Sequence, residues 1–168
     1  MNFIHLKGNL LVSSTGNKYT VKVSDFGMAK VLGENSYYKS DNVTLPYKWC
    51  SVEVLKYGKF SFASDVWAFG ILLWELFSMG ETPYLGFSNS EASEKVIQGY
   101  RLPQPKNCSD EMYKLMKQCW NENPKDRPTM KDIHSTLSTE KTENQQSFLA
   151  FILPPSANKK PESPVYHM

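Results

Sequence analysis

Residues 64–79 constrain the fold more than any other part of the chain. Val66, Trp67, Phe69, Ile71, Leu72, Leu73, Trp74, Leu76 and Phe77 leave a helix there with almost no polar face. A helix apolar on every side must be wrapped by other elements, so it predicts the centre of a helical core. Ser64 or Asp65 is the expected N-cap, Met79 the approximate end, and Gly80 with Pro83 beyond it the stop. The apolar run Val66 to Phe77 is interrupted by Gly70 and Glu75 and is too short to span a bilayer.

Shorter helices are expected around it. Ser51 to Tyr57 suits one, Asn89 or Ser90 through Gln98 a second, with Gly99 to end it. Ser109 caps another, whose Met112, Leu115, Met116 and Cys119 form an i, i+3, i+4, i+7 stripe. Pro128 or Thr129 opens the last, with Ile133 and Leu137 on one face and His134 at the surface or core edge. Upstream, Leu10 to Val12 and Tyr19 to Val23 flank the turn residues Thr15-Gly16-Asn17 and predict a β-hairpin. Met28 to Tyr47 lacks periodicity and reads as a long loop, of a length that is usually functional or mobile. Residues 139–168 turn polar, then Pro-rich and charged around a short apolar patch, and read as a flexible tail.

Composition narrows the class. A net charge of +2 offers no concentrated basic field, which argues against nucleic acid and a membrane surface as partners. Cys50, Cys108 and Cys119 are isolated and odd in number, which argues against a disulfide framework or a zinc site and for a reducing compartment. Met1 to Asn9 has no apolar core of the secretory type. The chain is expected to be soluble and cytoplasmic.

Several short strings then occur in one order: Phe3-Ile4-His5, Asn9, Ser24-Asp25-Phe26-Gly27, Pro46 to Glu53, Ser64 to Gly70, Cys119-Trp120 and Asp126-Arg127-Pro128. In that order and spacing the set resembles the C-terminal lobe of a protein kinase, and specifically a non-receptor protein tyrosine kinase of the Tec/Syk-like kind. The resemblance covers residues 2–138. It implies a mainly α fold, a protein-kinase-like C-terminal lobe with a short β-hairpin before the activation segment, and a single domain over residues 1–138.

The resemblance also implies roles. Asp25 would coordinate magnesium on the phosphates of ATP, with Phe26 setting the loop position. Asn9 is either the second metal ligand or a turn residue after Gly8. The loop 28–47 corresponds to the activation segment. Its Tyr37 and Tyr38 are either phosphotyrosine sites or solvated loop tyrosines. Pro46, Lys48 and Trp49 fall in the platform that accepts a phenolic side chain, which favours tyrosine as the acceptor. Ser51-Val52-Glu53 stands where the family has A-P-E, and Glu53 would pair with Arg127. Asp65 would accept backbone N–H bonds from the catalytic loop, or cap the helix, or both.

Two departures qualify that picture. The family's loop H-R-D-L-x-x-x-N is here His5-Leu6-Lys7-Gly8-Asn9, three residues shorter, and no catalytic Asp stands between His5 and Asn9. Lys7 cannot replace it, because an ammonium does not take a proton from a phenol at neutral pH. No G-x-G-x-x-G occurs in the 168 residues, so the chain is expected to hold one wall of an ATP cleft. The expectation is a tyrosine kinase fragment that is inactive alone, or else a non-catalytic, pseudokinase-like interaction module. ATP and magnesium are the family's cofactors. Protein tyrosine substrates and SH2- or SH3-type signalling proteins are the implied partners, and Pro161-Glu162-Ser163-Pro164 fits a P-x-x-P pattern.

Overall fold

The computed structural model describes residues 9–15, 18–32, 37–39 and 45–139. Leu10–Thr15 (β1) and Lys18–Val23 (β2) form an antiparallel hairpin running in register from Leu10 opposite Val23 to Thr15 opposite Lys18. Tyr38–Lys39 (β3) lies within the expected long loop and pairs antiparallel with Lys59–Phe60 (β4). The helices are Val52–Tyr57 (α1), Phe62–Phe77 (α2), Asn89–Ile97 (α3), Asp110–Cys119 (α4) and Met130–Thr139 (α5). Two 3-10 turns, Tyr47–Trp49 and Pro124–Asp126, complete the described elements. The described residues are mainly helical, with two small antiparallel sheets, the architecture that the resemblance implies. The expected tail, 139–168, lies outside the described residues except for the backbone of Thr139, the last residue of α5.

The central helix is wrapped on nearly every side. Trp67 and Ile71 of α2 are fully buried, and even Asp65 and Glu75 are covered. Val52 of α1, Ala92 and Val96 of α3, the α4 stripe and Ile133 of α5 close round it as one core. Cys50, Val54 and Phe60 form a smaller cluster, against which Tyr38 and Leu45 pack. All three cysteines are free and buried, and burial pushes the Cys50 and Cys119 thiols up to about 12.

Helix ends correct some of the expected boundaries. The N-cap of α2 is Ser61, not Ser64 or Asp65: its side chain accepts from the Ser64 N–H, and the Ser64 hydroxyl accepts from the Ser61 N–H. This reciprocal box satisfies two of the helix's orphan donors and starts it one turn early. The other end closes at Met79, in the left-handed region at φ 59°, with the Gly80 N–H on the Glu75 carbonyl and the Met79 N–H on that of Leu76. For α3 the cap is Ser88, boxed with Glu91, rather than Asn89 or Ser90. Ser109 caps α4 through the Met112 N–H. At α5, Thr129 and Asp132 exchange reciprocal bonds.

Gly70 marks where α2 and the end of α4 come closest. A Cβ there would lie 2.6 Å from Trp120 Nε1 and 2.8 Å from Cys119 Cβ. Alanine would gain about 1 kcal/mol of helix propensity. It would also force two packed elements apart, an overpacking cost of roughly 1–3 kcal/mol. We expect Gly70→Ala to lower the urea midpoint; an unchanged or raised midpoint would show that α4 can shift freely.

Candidate functional site

The hairpin delivers two candidate ligands to one end. Beyond the last ladder pair, the Ser24 N–H and hydroxyl both donate to the Asn9 carbonyl, at 2.7 and 3.1 Å. Asn9 and Asp25, distant in sequence, are thereby held at the same strand terminus. Asp25 has φ 61°, uncommon for a non-glycine residue, and its Oδ1 accepts the Gly27 N–H at 3.1 Å. The Ala29 N–H then closes a turn on the Phe26 carbonyl. Asp25 and Phe26 are exposed. Asp and Asn tolerate the left-handed region better than most residues because their short side chains bond locally, as Asp25 does here. Among the described residues, no group of three or more His, Cys, Asp and Glu could hold a metal. A carboxylate with an amide oxygen is nevertheless a donor pair that suits magnesium, which fills most of its shell with phosphate and water.

Downstream, the 3-10 turn Tyr47–Trp49 is anchored at two points. The Trp49 indole N–H donates to Glu75 Oε2 at 2.9 Å, deep on α2. Lys48 Nζ donates to the Tyr84 carbonyl at 3.3 Å. Tyr84 itself is buried with φ 52°, and burial raises its phenol. Glu75 is a residue that sequence reasoning did not single out. Its signal was available: a lone carboxylate inside an apolar helix must find a partner.

Glu53 and Arg127, 74 positions apart, meet in a bidentate fork. Arg127 Nη1 donates to Glu53 Oε1 at 2.7 Å and Nη2 to Oε2 at 2.8 Å. Nη1 also donates to the Ala63 carbonyl, Nη2 to that of Glu122 and Nε to that of Asn121. These five bonds use all five guanidinium donors. The Arg127 side chain is fully buried and that of Glu53 is 14% exposed. The guanidinium also lies 5.1 Å from the Trp67 ring centroid, while Arg101 covers the ring at 4.6 Å. Arg101 is bound to the Trp120, Val96 and Tyr100 carbonyls. Its part in this stack had no local signal in the sequence.

The remaining candidates fall as follows. Asp65 is buried in the first turn of α2. His5 and Lys7, with the rest of the shortened loop before Asn9, lie outside the described residues, as does the P-x-x-P stretch. Tyr37 is exposed, whereas Tyr38 is half-buried against Phe60.

Comparison with known proteins places this geometry. The family model described as protein tyrosine and serine/threonine kinase matches residues 2–137. The chain is 45% identical over 130 residues to a Danio rerio protein named tyrosine-protein kinase receptor Tie-1, covering 77% of this chain and 68% of that one. It is also 45% identical over 123 residues to the tyrosine-protein kinase Fer of Rattus norvegicus and of Mus musculus, covering 73% of this chain. The chain spans 15% of the length of Fer.

Proposed function

Because the chain belongs to the protein tyrosine and serine/threonine kinase family, we propose that residues 1–138 are the C-terminal lobe of a protein tyrosine kinase domain. The parent activity is ATP-dependent phosphorylation of protein tyrosines, and the 168-residue chain by itself transfers no phosphate. The observation that carries this reading is the anchored turn Tyr47–Trp49. Trp49 held on Glu75, and Lys48 on the Tyr84 carbonyl, fix the segment between Pro46 and Glu53 where a tyrosine side chain would be presented. The Glu53–Arg127 fork locks the far end of that segment to the last helices.

Asp25 and Asn9 would hold the magnesium, which when bound neutralises the phosphate charge of ATP. Ser24 orients that pair by holding the Asn9 carbonyl. Asp65, buried in the first turn of α2, would be the anchor for the catalytic-loop backbone, as the resemblance implies. Proton removal from the acceptor hydroxyl is the missing function, since the stretch between His5 and Asn9 offers no carboxylate. A Tec/Syk-like, non-receptor and cytoplasmic parent is the finer reading, supported by the motif string. SH2- and SH3-containing proteins are its partners.

The absent carboxylate favours a second reading, a pseudokinase-like lobe that binds a kinase or its substrate without catalysis. A radiolabelled transfer assay with magnesium-ATP and a tyrosine copolymer tests the inactivity: we expect no counts above the blank, and robust transfer overturns it. Co-purification with a full-length kinase would favour the second reading. Transcript sequence upstream of Met1 encoding G-x-G-x-x-G and V-A-I-K would favour the first.

A further inference from the structure

A small cavity of about 10 Å³ lies where the segment Pro46 to Glu53 meets the first turn of α2. Its wall includes Trp49, Cys50, Ser51, Ser64 and Asp65, the residues there with a hydrogen-bonding side chain. Ser51 is fully buried, and its hydroxyl has no hydrogen-bond partner among the described residues. A buried hydroxyl left in that state is costly, because it has given up water and gained nothing.

Three of its neighbours are already committed. The Trp49 indole N–H is on Glu75, and the Cys50 thiol is on the Pro46 carbonyl. The Ser64 hydroxyl donates to the Ser61 carbonyl and accepts the Ser61 N–H. Asp65 differs in kind. An ionised carboxylate offers about four acceptor positions, so Asp65 can take a further donor beside the interactions it already makes.

Water is the ligand that fits this wall. The cavity is the size of one molecule, and a water can accept from a hydroxyl while donating to a carboxylate. A calcium or magnesium ion would need about six oxygen ligands. Ser51 stands where the family's A-P-E motif has alanine, which has no atom to hold such a water. The site is therefore a property of this chain rather than of the motif.

We propose that the cavity binds one ordered water, which accepts a hydrogen bond from the Ser51 hydroxyl and donates one to the Asp65 carboxylate. The bridge ties the segment just after Trp49 and Cys50 to the start of the central helix. It stands beside the direct tie of Trp49 to Glu75 and reaches the opposite end of α2. The water goes beyond the function proposed above, since it is held whether or not the chain transfers phosphate.

Replacing Ser51 by alanine separates a wet site from a dry one by sign. At a dry site Ser51→Ala removes an unpaired buried group, so the urea midpoint should stay or rise. At a wet site it strands the water, and the folded-to-unfolded ratio should fall about fivefold, read as a lower midpoint. Ser51 precedes α1 but makes no side-chain capping bond, so loss of a cap does not enter. Diffraction from crystals of the full wild-type chain reads the water itself, and decides should the variant fail to fold. We expect one peak of water-like density about 2.5–3.0 Å from both Ser51 Oγ and an Asp65 carboxylate oxygen. No peak there, a peak bonded to only one of the two, or an unchanged or raised midpoint in Ser51→Ala overturns the proposal. Phosphate transfer by the chain to a copolymer would overturn only the inactivity proposed above.

Discussion

Replacing Glu53 by alanine is expected to destabilise the fold by roughly 3–5 kcal/mol, read as a lower urea midpoint with an unchanged slope. The cause is the arginine left behind. Arg127 is fully buried and would keep three carbonyl partners, at Ala63, Asn121 and Glu122, but no counter-charge. Taking a guanidinium out of water is tolerated only when a carboxylate meets it in good geometry, and the fork at 2.7 and 2.8 Å supplies that geometry. Arg127→Met should cost a similar amount, because it leaves a mostly buried carboxylate and three carbonyls without their donor. The double variant should lose less than the sum of the two, since neither charge is then stranded. Losses that simply add would mean that the two residues act independently.

Trp67→Ala is the second large loss, expected at about 3–5 kcal/mol from the cavity alone. Trp67 is fully buried at the middle of α2 and is covered by both Arg101 and Arg127. A desolvated cation over an indole face adds about 2 kcal/mol, so the cost should exceed that of an ordinary core tryptophan. Trp67→Phe separates the two causes. It keeps an aromatic face for the guanidinium groups and removes an indole N–H that finds no acceptor among the described residues. It should therefore recover a clear part of the loss in thermal unfolding. A phenylalanine variant as unstable as the alanine one would assign the whole effect to volume.

The helices that were legible in sequence were those with local signals. Ser109 and the stripe Met112, Leu115, Met116 and Cys119 identify α4 because capping and periodicity act within a few residues. The start of α2 was misplaced because several serines near residue 61 can each cap. Choosing among them depends on the reciprocal bond between Ser61 and Ser64, which a helical pattern alone does not specify. The pairing of Tyr38–Lys39 with Lys59–Phe60 was illegible for a different reason. Two residues carry no periodicity, and their partner strand lies across a long connection. Glu75 was visible as an isolated charge in an apolar run, yet its partner Trp49 is 26 positions away and only the folded chain joins them.

By itself, then, the sequence determined the kinase lobe, its buried central helix and the absence of any Asp or Glu between His5 and Asn9, because motif order and helical period are written along the chain. The tertiary structure alone decided which side chains share an environment. It brought Asn9 beside Asp25 through Ser24, set Trp49 on Glu75, gathered Arg101 and Arg127 at the Trp67 ring, and packed Tyr38 on Phe60 while leaving Tyr37 exposed. The physical reason is that desolvation, charge pairing and side-chain packing depend on distance in space, which a sequence encodes only once it has folded.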